Sequence, residues 1–271
     1  MPSTMMLDHP AWLIAEDGRA MRVVRSGESV WSVVCVPCDS SGHAVELACV
    51  SGTGNAAPVV DILDPAMLSA PVEIAEPLRD NGPIGRVRNP DLWDALATSI
   101  VRQVIRAGQA RKLYRAFCEA YGEEIETTAG SAWLFPSPET VLVLTEDEFA
   151  RLGMAFKRRP LRAAADAYHK YSKEWADLSS ARLIAELQTV PHIGPWTAGA
   201  TVADITNDYS FYPFADLAVR TWASNLAPAL AWPADEPAFA DVWQRLAGDQ
   251  LSMWTLLTLA WGVRHANGVA V

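Results

Sequence analysis

Apolar positions change their spacing about a third of the way along the chain. Between residues 11 and 50 they fall in short runs, Ala11–Ala15, Met21–Val24, Val30–Val36 and Ala44–Val50. The turn residues Asp17-Gly18, Ser26-Gly27 and Ser40-Ser41-Gly42 separate them. Runs of this length between turn-forming pairs predict an antiparallel meander. Residues 51–90 are rich in Pro, Gly and Asn and predict a loop-containing connection.

Beyond that connection the period is helical. Asn89 is placed to cap a helix, with Pro90 at its first position and Asp91 in its first turn. Leu92, Leu96, Ile100 and Val104, joined by Trp93 and Val101, make an apolar stripe. A second helix is expected from about Ala107 to Tyr121, stopped by Gly122. Further helical patterns cover Pro138–Leu144, Glu146–Leu152, Leu161–Leu178, Ala181–Leu187, Pro195–Ile205, Leu217–Leu226 and Pro237–Trp261. The expected fold class is α+β, a mostly α-helical body over residues 86–271 behind a smaller antiparallel β-rich domain over residues 1–85. There is no internal repeat.

Composition narrows the function classes. Half of the 271 residues are hydrophobic and 20% are charged, enough to bury a core. No apolar run reaches the roughly 18 residues of a membrane span, and Met1–Pro10 lacks the basic start and apolar stretch of a secretory signal. Four cysteines in a chain of this size do not make a disulfide scaffold, so a cytoplasmic setting is expected. The net charge of −10 argues against coating nucleic acid by bulk charge. Charge is nonetheless segregated. Residues 86–115 carry seven Lys and Arg against two Asp, and residues 151–170 carry six against one, with eight acids and no base between. The two basic blocks could form one phosphate-facing surface, or solvated helix faces of alternating charge.

The most informative segment is Leu187–Ala200, Leu-Gln-Thr-Val-Pro-His-Ile-Gly-Pro-Trp-Thr-Ala-Gly-Ala. A helix ends, Pro191-His192-Ile193-Gly194 turns, and Pro195 opens another helix. Such a turn presents backbone N–H groups that bind a phosphate oxygen without regard to base sequence. Pro195 has no N–H, which leaves Gly194, Trp196 and Thr197 as donors.

This segment resembles the helix-hairpin-helix of base-excision DNA glycosylases, whose signature runs apolar, Pro, Gly, apolar, Gly, two residues, Thr-Ala. The family continues to a loop ending in an aspartate, which matches Phe211–Arg220 with Asp216, 22 residues beyond Gly194. Ser99–Arg106 looks like the helix bearing the family's Gln and wedge residue, and Leu152–Lys157 and Trp254–Trp261 also match. The 3-methyladenine DNA glycosylase II type, with its β-rich front domain, is the branch most resembled. Two positions depart from the pattern. His192 replaces the first hairpin glycine, where a left-handed backbone is expected at some cost to a non-glycine residue. Arg106 replaces a serine.

Excising a base passes through an oxocarbenium-like sugar, which a nearby carboxylate can stabilise. The resemblance assigns that role to Asp216, which could otherwise serve only as a helix N-cap. Bifunctional relatives carry a nucleophilic Lys where this chain has Trp196, so hydrolysis without strand cleavage is expected. Trp196 would instead stack on an extruded alkylated base, in a pocket completed by Ala200 and Phe214. Ala200 replaces an aromatic residue of some relatives and implies a roomier site. DNA contacts are expected from Gln103, Val104 as wedge, Arg106, His192, Gly194, Thr197, Lys157 and Arg158. Val104 and Trp196 each have an ordinary alternative as helix packing.

The implied partner is duplex DNA containing damaged bases, engaged by a monomer. No Cys follows Cys118, so the iron–sulfur loop of some relatives is absent. Cys35-Val-Pro-Cys38 with Cys49 is weak as a zinc signal. No cofactor is expected; a monovalent cation on hairpin carbonyls is implied by resemblance alone. The alternatives are a catalytically weak relative that binds distorted DNA and a glycosylase for bulky adducts.

Overall fold

The computed structural model describes residues 1–38 and 42–266. Its N-terminal third contains β1 (Thr4–Met5), β2 (Leu13–Ile14), β3 (Ala20–Ser26), β4 (Ser29–Cys38), β5 (Gly42–Ser51), β6 (Val60–Leu63), α1 (Val72–Asp80) and β7 (Ile84–Val87). Strands β2 to β5 form an antiparallel sheet in chain order, with Val24 opposite Trp31 across the β3–β4 hairpin. The expected turn at Ser40-Ser41-Gly42 lies, but for Gly42, outside the described residues.

Two features depart from the sequence reading. A second sheet, ordered β1-β7-β6, pairs β1 parallel to β7, so the front of the chain is not purely antiparallel. The connection expected over residues 51–90 holds β6, one 3₁₀ turn at Pro65–Met67, α1 and β7. Helix α1 was hidden by Pro77 within it, a residue that normally marks a helix boundary. Its buried face, Ile74 and Leu78, shares a core with Val219, Ala223, Leu256 and Leu257 from the far end of the chain.

The body follows as α2 (Leu92–Arg102), α3 (Ala107–Tyr121), a hairpin of β8 (Glu124–Thr127) and β9 (Gly130–Trp133), α4 (Pro138–Val143), α5 (Glu146–Arg151), α6 (Ala155–Ala176), α7 (Ser180–Leu187), α8 (Pro195–Thr206), α9 (Leu217–Leu226), α10 (Glu236–Ala247) and α11 (Leu251–Ala266). The β8–β9 hairpin was not read from the sequence. Ile125 and Ala132 pack on Met21, Val23 and Val30 of the front sheet.

Asp91, not Asn89, caps α2, accepting from the Trp93 and Asp94 N–H groups at 2.9 and 3.2 Å. The helix ends at Arg102, so Val104 does not belong to its stripe. Helix α6 begins six residues before Leu161 and runs through Pro160.

Helix α8 decides where a site can form. Its small residues are buried on two sides: Ala198 and Val202 join the core of Leu96, Ile100, Phe117 and Leu161, while Ala200 and Ala203 join that of Val219, Phe239 and Trp254. A helix apolar nearly all round is a buried helix, and this one lies between the two helical cores.

Candidate active site

The turn into α8 has the geometry its sequence implied. His192 adopts φ 72°, the left-handed region that a non-glycine residue enters at a cost of order 1 kcal/mol. Gly194 has an ordinary φ of −94° and is the N-cap of α8 without a side-chain cap. A Cβ there would meet nothing within 4 Å, so its backbone is open to an approaching group. With Pro195 at the first position, the N–H groups of Trp196 and Thr197 lack intrahelical acceptors.

Gln103 binds this turn from the end of α2. Its Nε2 donates to Thr197 Oγ1 at 2.7 Å and to His192 O at 3.2 Å. The Thr197 side chain is therefore buried and committed, which leaves only its backbone open. The Gln103 amide, expected to reach the partner strand, holds the turn. Val190 O accepts from Ile193 N and His192 O from Gln103, so part of the carbonyl set a monovalent cation would use is already engaged.

Val104 follows at φ 60° and is fully exposed, at 101%. A β-branched residue in this conformation is a backbone outlier, and it projects where the core-packing alternative cannot hold. Arg106 is exposed at the N-cap of α3.

Lys157 is a correction. It was expected to face DNA, yet it is 2% exposed, and its Nζ donates to Gln103 O at 2.7 Å. Burial pulls its pKa down to about 8. Arg158 on the same turn is half-buried, and its Nε finds no partner among the described residues.

The Asp216 loop lies against α8 because Gly199 lets it. A Cβ at Gly199 would collide with Phe211 O and stand 3.2 Å from Pro213 Cδ. Asp216 occupies the N-cap position of α9, but its side chain caps nothing there. Instead, Oδ2 accepts from the Tyr212 hydroxyl at 3.2 Å. Burial is the main influence raising the Tyr212 pKa, and the neighbouring Asp216 adds to it against Arg102. The phenol therefore remains a donor.

Asp216 opens onto a cleft of about 350 Å³ whose lining includes Trp196, Ala200, Tyr209, Tyr212, Trp222, Arg86, Arg102 and Arg111. Phe214, expected in this pocket, is a second correction. It is half-buried against the core of α9–α11 and is not part of the lining. Tyr212 and Tyr209 supply the aromatic surface in its place.

Sequence reasoning missed the floor of this cleft. Arg86 is buried and donates to Asp8 Oδ1 and Oδ2 at 3.1 Å each, to Asp204 Oδ1 at 2.7 Å, and to Asn207. Asn89 donates to Asp204 and Asp94, and His9 Nε2 stands 3.2 Å from Asp94 Oδ2. Burial alone would raise Asp8, but the Arg86 and Arg102 guanidiniums bring it down to about 2. Burial likewise opposes ionisation of Asp94, which His9 and Arg22 overcome, so its pKa is lowered. These residues lie far apart in sequence without any shared period, and no local signal joins them.

The same network revises the reading of the basic blocks. Arg86 is internal, Arg88 pairs with Asp61 at 2.6 Å, Arg115 donates to Pro10 and Trp12 carbonyls, and Arg162 to those of Leu142 and Leu144. Much of what read as one phosphate-facing surface is structural.

Among the described residues, no group of three or more His, Cys, Asp or Glu is placed to hold a metal ion, and Cys35, Cys38, Cys49 and Cys118 are free. No helix among the described residues is long and apolar enough to cross a membrane.

A turn between α7 and α8, a carboxylate at the head of the next helix and a cleft between two helical cores are the arrangement of the helix-hairpin-helix DNA glycosylases, and the chain has their fold. It is similar to the Clostridium acetobutylicum 8-oxoguanine glycosylase/lyase in complex with double-stranded DNA containing cytosine opposite 8-oxoG, with TM-score 0.71 and 15% identity over 97% of this chain and 90% of that one. The 3-methyladenine DNA glycosylase from Archaeoglobus fulgidus superposes with TM-score 0.67 and 17% identity, over 93% and 90% of the two chains. In sequence, 132 residues are 28% identical to the DNA-3-methyladenine glycosylase of Bacillus subtilis (strain 168). That stretch spans 47% of this chain and 44% of the relative, less than half of its length. No family model matches the chain.

Proposed function

We propose that the protein is a monofunctional DNA glycosylase that hydrolyses the N-glycosidic bond of an alkylated base extruded from duplex DNA and leaves an abasic site. One observation carries this reading: Asp216 sits at a helix head without capping it, with its carboxylate on the same cleft as Trp196. A fixed negative charge there would stabilise the cationic sugar and orient the attacking water. Trp196 and the two cleft tyrosines offer faces for an unstacked base.

Hydrolysis rather than lyase chemistry fits the lining. Among the described residues it contains no lysine, and Lys157 is turned toward Gln103 O. A Schiff base to the sugar would need an amine within reach. The turn's unpaired N–H groups would hold backbone phosphate, and Val104 would enter the gap left by the flipped nucleotide.

The test is single-turnover base release from duplexes bearing alkylated bases, with abasic sites cut by alkali. Asp216→Asn folds as the parent and loses release by at least about a hundredfold, the scale of one transition-state electrostatic contact. Undiminished release, or a borohydride-trapped covalent complex, rejects the assignment.

A further inference from the structure

We propose that Arg102 reads the edge of the extruded base, so that the cleft takes a neutral damaged base presenting hydrogen-bond acceptors and disfavours purines that alkylation has made cationic. The inference rests on the glycosylase reading and specifies its substrate class.

Arg102 ends α2 and lines the same cleft as Asp216. Its guanidinium forms neither a hydrogen bond nor an ion pair among the described residues, unlike its neighbour Arg86, which is tied to Asp8, Asp204 and Asn207. It is half-buried. The groups that act on it electrostatically are Asp8, Tyr212, Tyr209 and Asp204, all buried or nearly so. A planar fork of five donors thus lines the cleft with no hydrogen-bond partner among the described residues. Guanidinium pairs bidentately with two adjacent acceptors, the pattern a purine edge shows through a carbonyl oxygen and a ring nitrogen.

Charge points the same way. The lining holds three arginines, Arg86, Arg102 and Arg111, against three aspartates, Asp8, Asp204 and Asp216. Asp8 and Asp204 are engaged by Arg86. The cleft therefore has no surplus of negative charge to draw in a cation. A cationic purine would gain from the Trp196 indole but would meet the Arg102 guanidinium, whose counter-charges Asp8 and Asp204 are shared with Arg86, in a site of low dielectric, where like charges repel strongly. A neutral base keeps the stacking without the repulsion.

A backbone phosphate of the flipped nucleotide would also satisfy a guanidinium. The cleft lining that Arg102 shares with Tyr209, Tyr212 and Asp8 favours the base.

The experiment compares the parent protein, Arg102→Met and Arg102→Lys on duplexes carrying 7-methylguanine, which is cationic and has no free N7, and 1,N6-ethenoadenine or O6-methylguanine, neutral alkylated bases that keep two adjacent acceptors. Base release is measured in single turnover, and equilibrium binding to the same duplexes in an Asp216→Asn background. Circular dichroism confirms that each variant is folded. The parent is expected to favour at least one neutral lesion over 7-methylguanine by tenfold or more. Arg102→Met loses at least tenfold on that neutral lesion and loses nothing on 7-methylguanine. Arg102→Lys keeps the rejection of 7-methylguanine but not the neutral-lesion rate, because lysine retains the charge and lacks the fork. Affinity for undamaged duplex and its salt dependence stay unchanged. A uniform loss across all duplexes, with the salt slope reduced by about one, would mean a phosphate contact and overturn the proposal. So would a parent preference for 7-methylguanine that Arg102→Met leaves intact. If no duplex releases its base, the glycosylase reading fails, and base selection by Arg102 is then accepted or rejected by the binding preferences alone.

Discussion

The Tyr212 hydroxyl donates to Asp216 Oδ2 at 3.2 Å across one turn of the loop that leads into α9. The bond replaces the usual partners of an N-cap carboxylate, the N–H groups of its own helix. It thereby holds the acid toward the cleft instead of along the helix axis. Tyr212 is a positioning residue in this account. Tyr212→Phe is expected to lower single-turnover base release about tenfold, since one hydrogen bond to a charged group contributes of order 1.5–3 kcal/mol. Affinity for undamaged duplex should be unchanged; a parallel fall in affinity would indicate a collapsed loop instead.

Val104 combines full exposure with a left-handed backbone. Val104→Gly removes both the strain and the side chain. It should raise stability to denaturant by about 1 kcal/mol while reducing release from duplex DNA more than from single strands. Equal reduction on both substrates would argue against insertion into the stack.

At Gly199 the loop and helix α8 touch backbone to side, with Phe211 O where a Cβ would lie. Gly199→Ala must push the loop outward. A loss of about 1–3 kcal/mol is expected from overpacking, together with a fall in base release beyond tenfold as Asp216 moves from its working position. Thermal unfolding and single-turnover rates measure the two effects separately.

Acid sensitivity should follow from Asp8. Its folded pKa of about 2 lies below the ordinary value of 3.8, so the folded state binds fewer protons than the unfolded chain between these limits. The stability it contributes is present above pH 3.8 and is lost as pH falls through about 2. The shift corresponds to about 2 kcal/mol. Asp8→Asn should destabilise the protein at neutral pH by at least this much, leaving Arg86 short of a partner, and should flatten the stability profile between about pH 4 and 2. An unchanged profile in urea titrations would remove Asp8 from the acid response.

Particular residues show where sequence reading was enough. The strand runs, the helix stops and the turn at His192 were legible because each depends on a few adjacent residues. Aspartate–glycine and serine–glycine pairs set turns, proline opens helices, and apolar spacing marks the buried face. The left-handed backbone at His192 could be foreseen from its place in the hairpin signature. Helix α1 could not, since Pro77 gives a boundary signal that only packing against Val219 and Leu256 overrides.

Lys157 and Phe214 show the other limit. A lysine in a basic stretch and a phenylalanine beside an aspartate look like a phosphate contact and a base platform, but the fold buries the first under Gln103 and packs the second against the core. The chain alone determined many of the local conformations, and its resemblance to the glycosylases pointed to the two residues, Trp196 and Asp216, whose chemistry suggests base excision. Tertiary structure alone decided that Asp8, Arg86 and Asp204 form the cleft's charged floor and that Arg102 has no hydrogen-bond partner among the described residues. Charges widely separated along a chain pair only once folding has removed the water that otherwise screens them.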